Sequence, residues 1–150
     1  MYVFLVAGAD ETYDASAYSF SVGNLSIQSD RRYGWTVVEA YLNGFLQLSN
    51  FIIKEKLYRP SKSFILCTAS QPVIKLIKTD FLGQLKNNSW RSLDGKPIFY
   101  VPILKELYYH KLFYEERGIT WDTLTELGDM EYRLYEQCQE KVTLTLTGGT

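Results

Sequence analysis

Two short runs in this chain, MYVFLVA at residues 1–7 and FILC at 64–67, are apolar at almost every position, and each is followed by a turn. A strand with one solvated face alternates apolar and polar residues, whereas a strand apolar throughout needs cover on both faces. The chain therefore has to place helices on both sides of a sheet. Part of that cover is legible from about Trp35 onward. There Trp35, Val38, Leu42, Phe45 and Leu46 recur at three- and four-residue spacing, the period of a long amphipathic helix, with Glu39 on the border of its apolar stripe.

Between these segments SAYSFSV alternates, with Tyr18, Phe20 and Val22 separated by serines. Gly23-Asn24 then makes a turn and LSIQS completes a hairpin. After the strand SFILCT, QPVIKLIK opens a helix whose proline is tolerated in the first turn. LKNNSWRSLDGKPIFY is a polar interval, VPILKELYYHK is helical, and LFYEE reads as a short strand ended by Arg117-Gly118. A last helix is expected from about Leu124 to Glu140, with Leu127, Met130, Leu134 and Cys138 on one face. The predicted architecture is α/β. It is a mixed five-stranded sheet, three antiparallel strands followed by two from β-α-β elements, with helices on both faces. One domain is expected over residues 1–142, and the low-complexity end, 143–150, is expected to be a flexible tail.

Composition narrows the chemistry. The formal net charge of −1 supplies no global field for an anionic partner, so a local patch must hold one. Cys67 and Cys138 read as buried thiols of a reducing compartment. The apolar N-terminus lacks the basic flank of a signal peptide and no run reaches membrane-spanning length, so a cytoplasmic or otherwise intracellular chain without a membrane partner is expected. The sequence contains no phosphate loop, no metal-spaced His/Cys set and no serine–histidine constellation; His110 reads as a partly exposed helical residue. What such an architecture can host is carboxylate–metal chemistry at strand ends, where acids hold two ions that activate water.

CTASQPV, at 67–73, is similar to the Thr-Asp-Ser-Gln phrase at the end of the fourth strand of ribonuclease H of the bacterial type. FLVAGA is similar to the Thr-Asp-Gly-Ser of that family's first strand, and SWRSLDGKPIFY to its tryptophan-basic segment leading into a Lys-Pro. Glu39 matches the family's helical glutamate. Asp129 falls on its last catalytic aspartate, followed by a helix containing Arg133. The resemblance covers roughly residues 1–140, by order and spacing more than by identity. It implies a four-acid site at Ala7, Glu39, Ala69 and Asp129. In an active parent, two Mg2+ ions there would serve hydrolysis of the RNA strand of an RNA–DNA hybrid. Two of the four positions hold alanine, which leaves Glu39 and Asp129 as metal ligands, with Thr36 as an alternative register for the helical acid.

The same resemblance implies nucleic-acid contacts. The backbone near Gly8 and the side chain of Gln71, beside Ser70, would meet the RNA strand, and Trp90, Arg91 and Lys96 the DNA strand. Where the family holds a DNA phosphate this chain has Gly34, Trp35 and Thr36, with Arg31 and Arg32 just upstream to serve instead. The family's mobile histidine has no counterpart, Ile119 or Thr120 standing in its place. Two origins fit the alanines. One is an enzyme inactivated by exchange of its aspartates, favoured by the intact Gly8, Ser70 and Gln71. The other is a natural pseudonuclease kept as a nucleic-acid-binding or protein-interaction module, favoured by the missing histidine and the altered phosphate pocket. A reading of another class makes Tyr100, Tyr108, Tyr109, Tyr114, Tyr132 and Tyr135 a protein-partner surface.

Overall fold

The computed structural model of the chain describes all residues except 93, 95–97, 125, 127 and 148–150, and the side chains of all described residues except 13, 130, 131 and 134. In chain order the elements are β1 (Tyr2–Asp10), β2 (Ala15–Val22), β3 (Leu25–Gln28), β4 (Arg32–Tyr33), α1 (Val37–Lys54), β5 (Ser63–Cys67), α2 (Gln71–Lys78), α3 (Phe81–Asn87), α4 (Val101–Glu116), β6 (Thr120–Thr123) and α5 (Asp129–Leu146). The sheet runs β3-β2-β1-β5-β6, and the two-residue β4 pairs with the start of β2. β1, β2 and β3 are antiparallel, while β5 lies parallel to both β1 and β6. This is the expected mixed α/β sheet, with β4 as an addition.

The two continuous apolar runs are the two central strands, and the reason is visible in their alternate residues. Val3 and Leu5 of β1 face a core shared with α1, α2, α3 and α4. Phe4 and Val6 face a smaller core closed by Cys138 and Val142 of α5. The serines of β2 depart from the usual pattern, for Ser16 and Ser19 are fully buried rather than solvated. Ser19 lies on the face that α5 covers, beside Cys138, where a small side chain lets the helix approach, while Ser16, three residues earlier, lies on the opposite face with Tyr18 and Phe20. On the other face Gly44 of α1 does similar work. A Cβ there would stand 2.7 Å from Leu5 Cδ1 and 3.1 Å from Tyr18 Cγ. The helix thus rests closer to β1 and β2 than any side chain at 44 would permit.

Three expectations change in the C-terminal third. LFYEE is not a strand but the last turns of α4. Leu104, Leu107 and Tyr114 recur at helical spacing and are buried, and that stripe continues the helix through the apolar triplet. The helix ends at Gly118, whose φ of +68° suits glycine, with Ile119 N–H donating to the Tyr114 carbonyl at 2.9 Å. The strand follows that turn as β6, so Ile119 and Thr120 belong to its entry and not to the loop before α5. Finally, α5 begins at Asp129 and runs to Leu146, so residues 143–146 of the expected tail are helical. Val142 and Leu146, four apart, pack on the sheet beneath Phe4 and Val6 and hold that turn in place. Of the stripe expected on this helix, Leu127 and the side chains of Met130 and Leu134 lie outside the described residues; Cys138 is buried.

His110, exposed only in part, joins α4 to α1 through a buried polar link. Its Nδ1 lies 2.7 Å from Ser49 Oγ, and Tyr114 Oη lies 2.8 Å from the same hydroxyl. Burial holds the His110 pKa below its ordinary 6.5, against the raising effect of nearby Glu106. An imidazole that stays neutral in the fold but protonates when unfolded gives a definite sign. Its contribution to stability is present in full above 6.5 and is lost as pH falls from there to the lower folded-state value. The urea midpoint should therefore drop on acidification from about pH 7 to about pH 5. In His110→Gln, compared at the same two pH values, the drop should be smaller. An identical drop would assign the pH response to other groups.

Candidate functional site

The pairing of β1 with β5 ends at Phe4 against Cys67. Beyond that point β1 continues to Asp10 alongside β2 alone, while the chain leaves β5 through Thr68-Ala69-Ser70 into α2. A crevice opens between the carboxyl ends of two parallel strands, the usual place for a site in such sheets. Ala7 lies three residues past Phe4 along β1, and Ala69 two past Cys67 in the turn to α2. Ala7 is half-buried against the α1 core, and Ala69 is exposed.

The remaining expected acids stand at helix starts. Thr36 caps α1, its Oγ1 accepting the Glu39 N–H at 3.1 Å and lying 2.7 Å from the Tyr100 hydroxyl. Glu39 is thus in the first turn of α1, half-buried, where a helix N-terminus favours a carboxylate. Asp129 is the first residue of α5 and is exposed. Ser70 is buried and caps α2 by accepting the Val73 N–H at 3.3 Å, while Gln71 is exposed as the first residue of that helix.

One feature of the crevice went unread in the sequence. Ile65 N–H donates to the Met1 carbonyl, so alternate backbone groups of β1 point toward β5. Ala7 lies on that side beyond the last strand pair, with the Tyr41 hydroxyl close to its backbone. The Tyr135 hydroxyl lies close to that of Tyr41. Tyr41 belongs to α1 and Tyr135 to α5, helices on opposite faces, so the pair reaches through the open end of the sheet. Burial raises the Tyr41 pKa and pushes that of Tyr135 up to about 12. Both are neutral near pH 7. A signal existed, since Tyr41 extends the Val38–Leu42 stripe, but spacing gives no sign that its hydroxyl serves the backbone of β1.

This donor set does not fit a pair of divalent cations. Hard divalent ions need several oxygen ligands and charge compensation. Alanine offers neither at positions 7 and 69, and two neutral phenols replace no lost charge. Among the described residues no three His, Cys, Asp or Glu side chains gather closely enough to hold a metal ion.

Basic and aromatic residues cluster elsewhere, around α3 and α4. Lys86 lies over the Tyr108 ring at 6.0 Å and Lys105 over the Trp90 ring at 5.8 Å, while Trp90 meets Tyr108 edge-on at 5.9 Å. Trp90 is held in the left-handed region (φ +62°) just after α3, its N–H donating to the Leu85 carbonyl at 2.7 Å. Arg91 is exposed beside it. Lys96 lies outside the described residues. Arg31 bonds the Tyr33 hydroxyl at 3.3 Å and Arg32 lies over Trp35, both just ahead of α1. Gly8 turns its open side to α5, where a Cβ would come within 3.0 Å of Val142 Cγ1.

The tyrosines named as a partner surface do not form one. Tyr114 is buried in the α1–α4 core, Tyr109 is exposed on α4, and Tyr132 is exposed on α5 across the sheet. Among the described residues no helix is long and apolar enough to cross a membrane.

Neither a family model nor a curated protein sequence matches the chain. Solved structures do. The foamy viral protease–reverse transcriptase in complex with RNA/DNA hybrid superposes with a TM-score of 0.72 at 13% identity, over 98% of this chain and 20% of that one. This chain thus spans about a fifth of that polyprotein's length. The PFV RNase H domain in solution matches with a TM-score of 0.60 at 15% identity, covering 99% of this chain and 91% of that domain. RNase H1 from the archaeon Halobacterium salinarum NRC-1 matches with a TM-score of 0.56 at 12% identity, over 98% and 97%. At such identities the likeness is one of backbone and topology, and with the strand order and the crevice at the ends of β1 and β5 it establishes that this chain has the ribonuclease H fold.

Proposed function

We propose that the chain is a catalytically silent domain of the ribonuclease H lineage, one that holds nucleic acid, an RNA–DNA hybrid foremost, without cutting it. The observation that carries this reading is the crevice: alanine at both strand ends, with a neutral tyrosine pair reaching across. In an active parent, two Mg2+ ions in a four-acid site would hydrolyse the RNA strand. Here Glu39 and Asp129 alone cannot position and neutralise them. Losing two carboxylates also removes repulsion toward a phosphate backbone.

Binding is supported by the Lys86, Lys105, Trp90 and Tyr108 cluster, since cations that meet phosphates and aromatic faces that meet sugars or bases are the usual means of gripping a strand. The solved foamy viral relative was itself in complex with RNA/DNA hybrid. The test is fluorescence anisotropy with a labelled hybrid, in chelator, over a salt series. Affinity should fall linearly on a log–log plot against salt, and Lys86→Gln/Lys105→Gln should lower the slope by about 2. Restoring both aspartates should weaken metal-free binding. Salt-independent binding, or none, would remove the nucleic-acid role.

A further inference from the structure

The starts of α1 and α4 meet at the surface, where the Tyr100 hydroxyl lies 2.7 Å from Thr36 Oγ1. Phe99, the residue before Tyr100, is 82% exposed, more than any other large apolar side chain among the described residues. Its one ring neighbour among those residues is Tyr100, with centroids 6.1 Å apart. Tyr100 stands in the left-handed region, with φ +65°. That conformation is unfavourable for a bulky residue and persists only where its surroundings hold it. The Thr36 contact does so, together with the Leu104 N–H, which donates to the Tyr100 carbonyl at 3.1 Å. The open ring of Phe99 is therefore presented from a braced backbone.

Charge gathers beside it. Arg31 donates to the hydroxyl of the exposed Tyr33 at 3.3 Å, and the Arg32 guanidinium lies 5.5 Å from the centre of the Trp35 ring. Neither arginine forms an ion pair with a described carboxylate, the adjacent Asp30 included. Cations with unspent charge beside open aromatic faces are the means by which proteins grip a single strand. The patch also adjoins both parts of the proposed nucleic-acid surface. Thr36 caps the turn that carries Glu39, and Lys105 lies one turn into α4. Within a duplex each base is covered by its neighbours, so a free aromatic face can be matched only by a base that is unpaired.

We propose that this patch holds an unpaired base of the DNA strand just beyond the hybrid, stacked on Phe99 with its phosphates toward Arg31 and Arg32. The preferred ligand is then a hybrid that ends in a single-stranded DNA flank. This rests on the nucleic-acid-binding reading above and on Arg31 and Arg32 serving the DNA strand.

Three ligands decide it by fluorescence anisotropy in chelator: a blunt hybrid, the same hybrid with DNA overhangs of about four nucleotides at both ends, and one with RNA overhangs instead. The DNA overhangs should tighten binding about fivefold or more over the blunt hybrid. Phe99→Ala should remove that gain and leave blunt-hybrid affinity as it was, whereas Phe99→Trp should keep the gain. Because Phe99 lies outside both cores, neither substitution threatens the fold. 2-Aminopurine at the first unpaired DNA position should be quenched on binding the parent chain and not on binding Phe99→Ala. Three results would overturn the assignment while leaving the binding reading intact: overhangs that add nothing to a blunt hybrid that binds, an equal gain from RNA overhangs, or an equal loss for all three ligands in Phe99→Ala. No binding of any of the three would remove both.

Discussion

Ala7→Asp/Ala69→Asp will not by itself make this chain cut an RNA–DNA hybrid in magnesium; adding Tyr41→Ala will. The two substitutions place carboxylates where β1 and β5 part, which with Glu39 and Asp129 would complete the proposed four-acid set. But the Tyr41 hydroxyl lies close to the Ala7 backbone and to the Tyr135 hydroxyl, beside the position where the new carboxylate at 7 would stand. A carboxylate introduced at 7 would take the Tyr41 hydroxyl as its donor, and the ring would still occupy the crevice. On the proposed site, removing the ring frees the space in which the four acids would hold two hard cations. In single-turnover cleavage the triple variant should exceed the double by at least about a hundredfold, a difference of ~2.7 kcal/mol in the barrier. Equal rates would mean that the tyrosine pair yields to metal unaided. If neither variant cuts while both fold, the acids at 39 and 129 are not placed for catalysis. The binding role then stands alone.

Phe64→Ala should be the most damaging single core substitution on the sheet. Phe64 is fully buried in the middle of the parallel half of the sheet and stacks on Trp121 of β6 with ring centroids 5.0 Å apart. Removing a ring there deletes its burial and leaves a void that neighbouring strands cannot collapse into, a loss of about 3–5 kcal/mol. A domain of this kind has about 5–15 kcal/mol in all. The urea midpoint should fall by about a fifth or more with little change in slope. A loss of under about 1 kcal/mol would show that the sheet relaxes around the gap. Hybrid affinity of the folded fraction should be unchanged, because Phe64 faces the α1–α4 core and not the basic cluster.

Much of the architecture was legible because it rests on periodicity. MYVFLVA and SFILC could only be central strands, and the stripe through Val38, Leu42 and Phe45 could only be a helix lying on them. QPVIKLIK matched α2 residue for residue, since Ser70 and Pro72 are local start signals. Where local pattern and long-range packing compete, the pattern misleads. LFYEE has a strand's composition, yet Tyr114 is claimed by the core above α1, and TLTL looks loose until Leu146 finds the face of β1.

The candidate site divides the same way. That Ala7 and Ala69 would stand where carboxylates do in ribonuclease H of the bacterial type is what the resemblance of FLVAGA and CTASQPV implies, and no coordinates enter that expectation. That Tyr41 and Tyr135 meet at the Ala7 backbone is a fact about two helices on opposite sides of a sheet, 94 positions apart in sequence. Nothing within either helix records it, because a side chain's hydrogen-bond partner is set by where the strand pairing stops. Which residues are apolar, and at what period, is settled along the chain. What stands beside Ala7 where β1 and β5 part is settled only by the packing of α1 and α5 on the sheet, since it depends on distances that no local pattern sets.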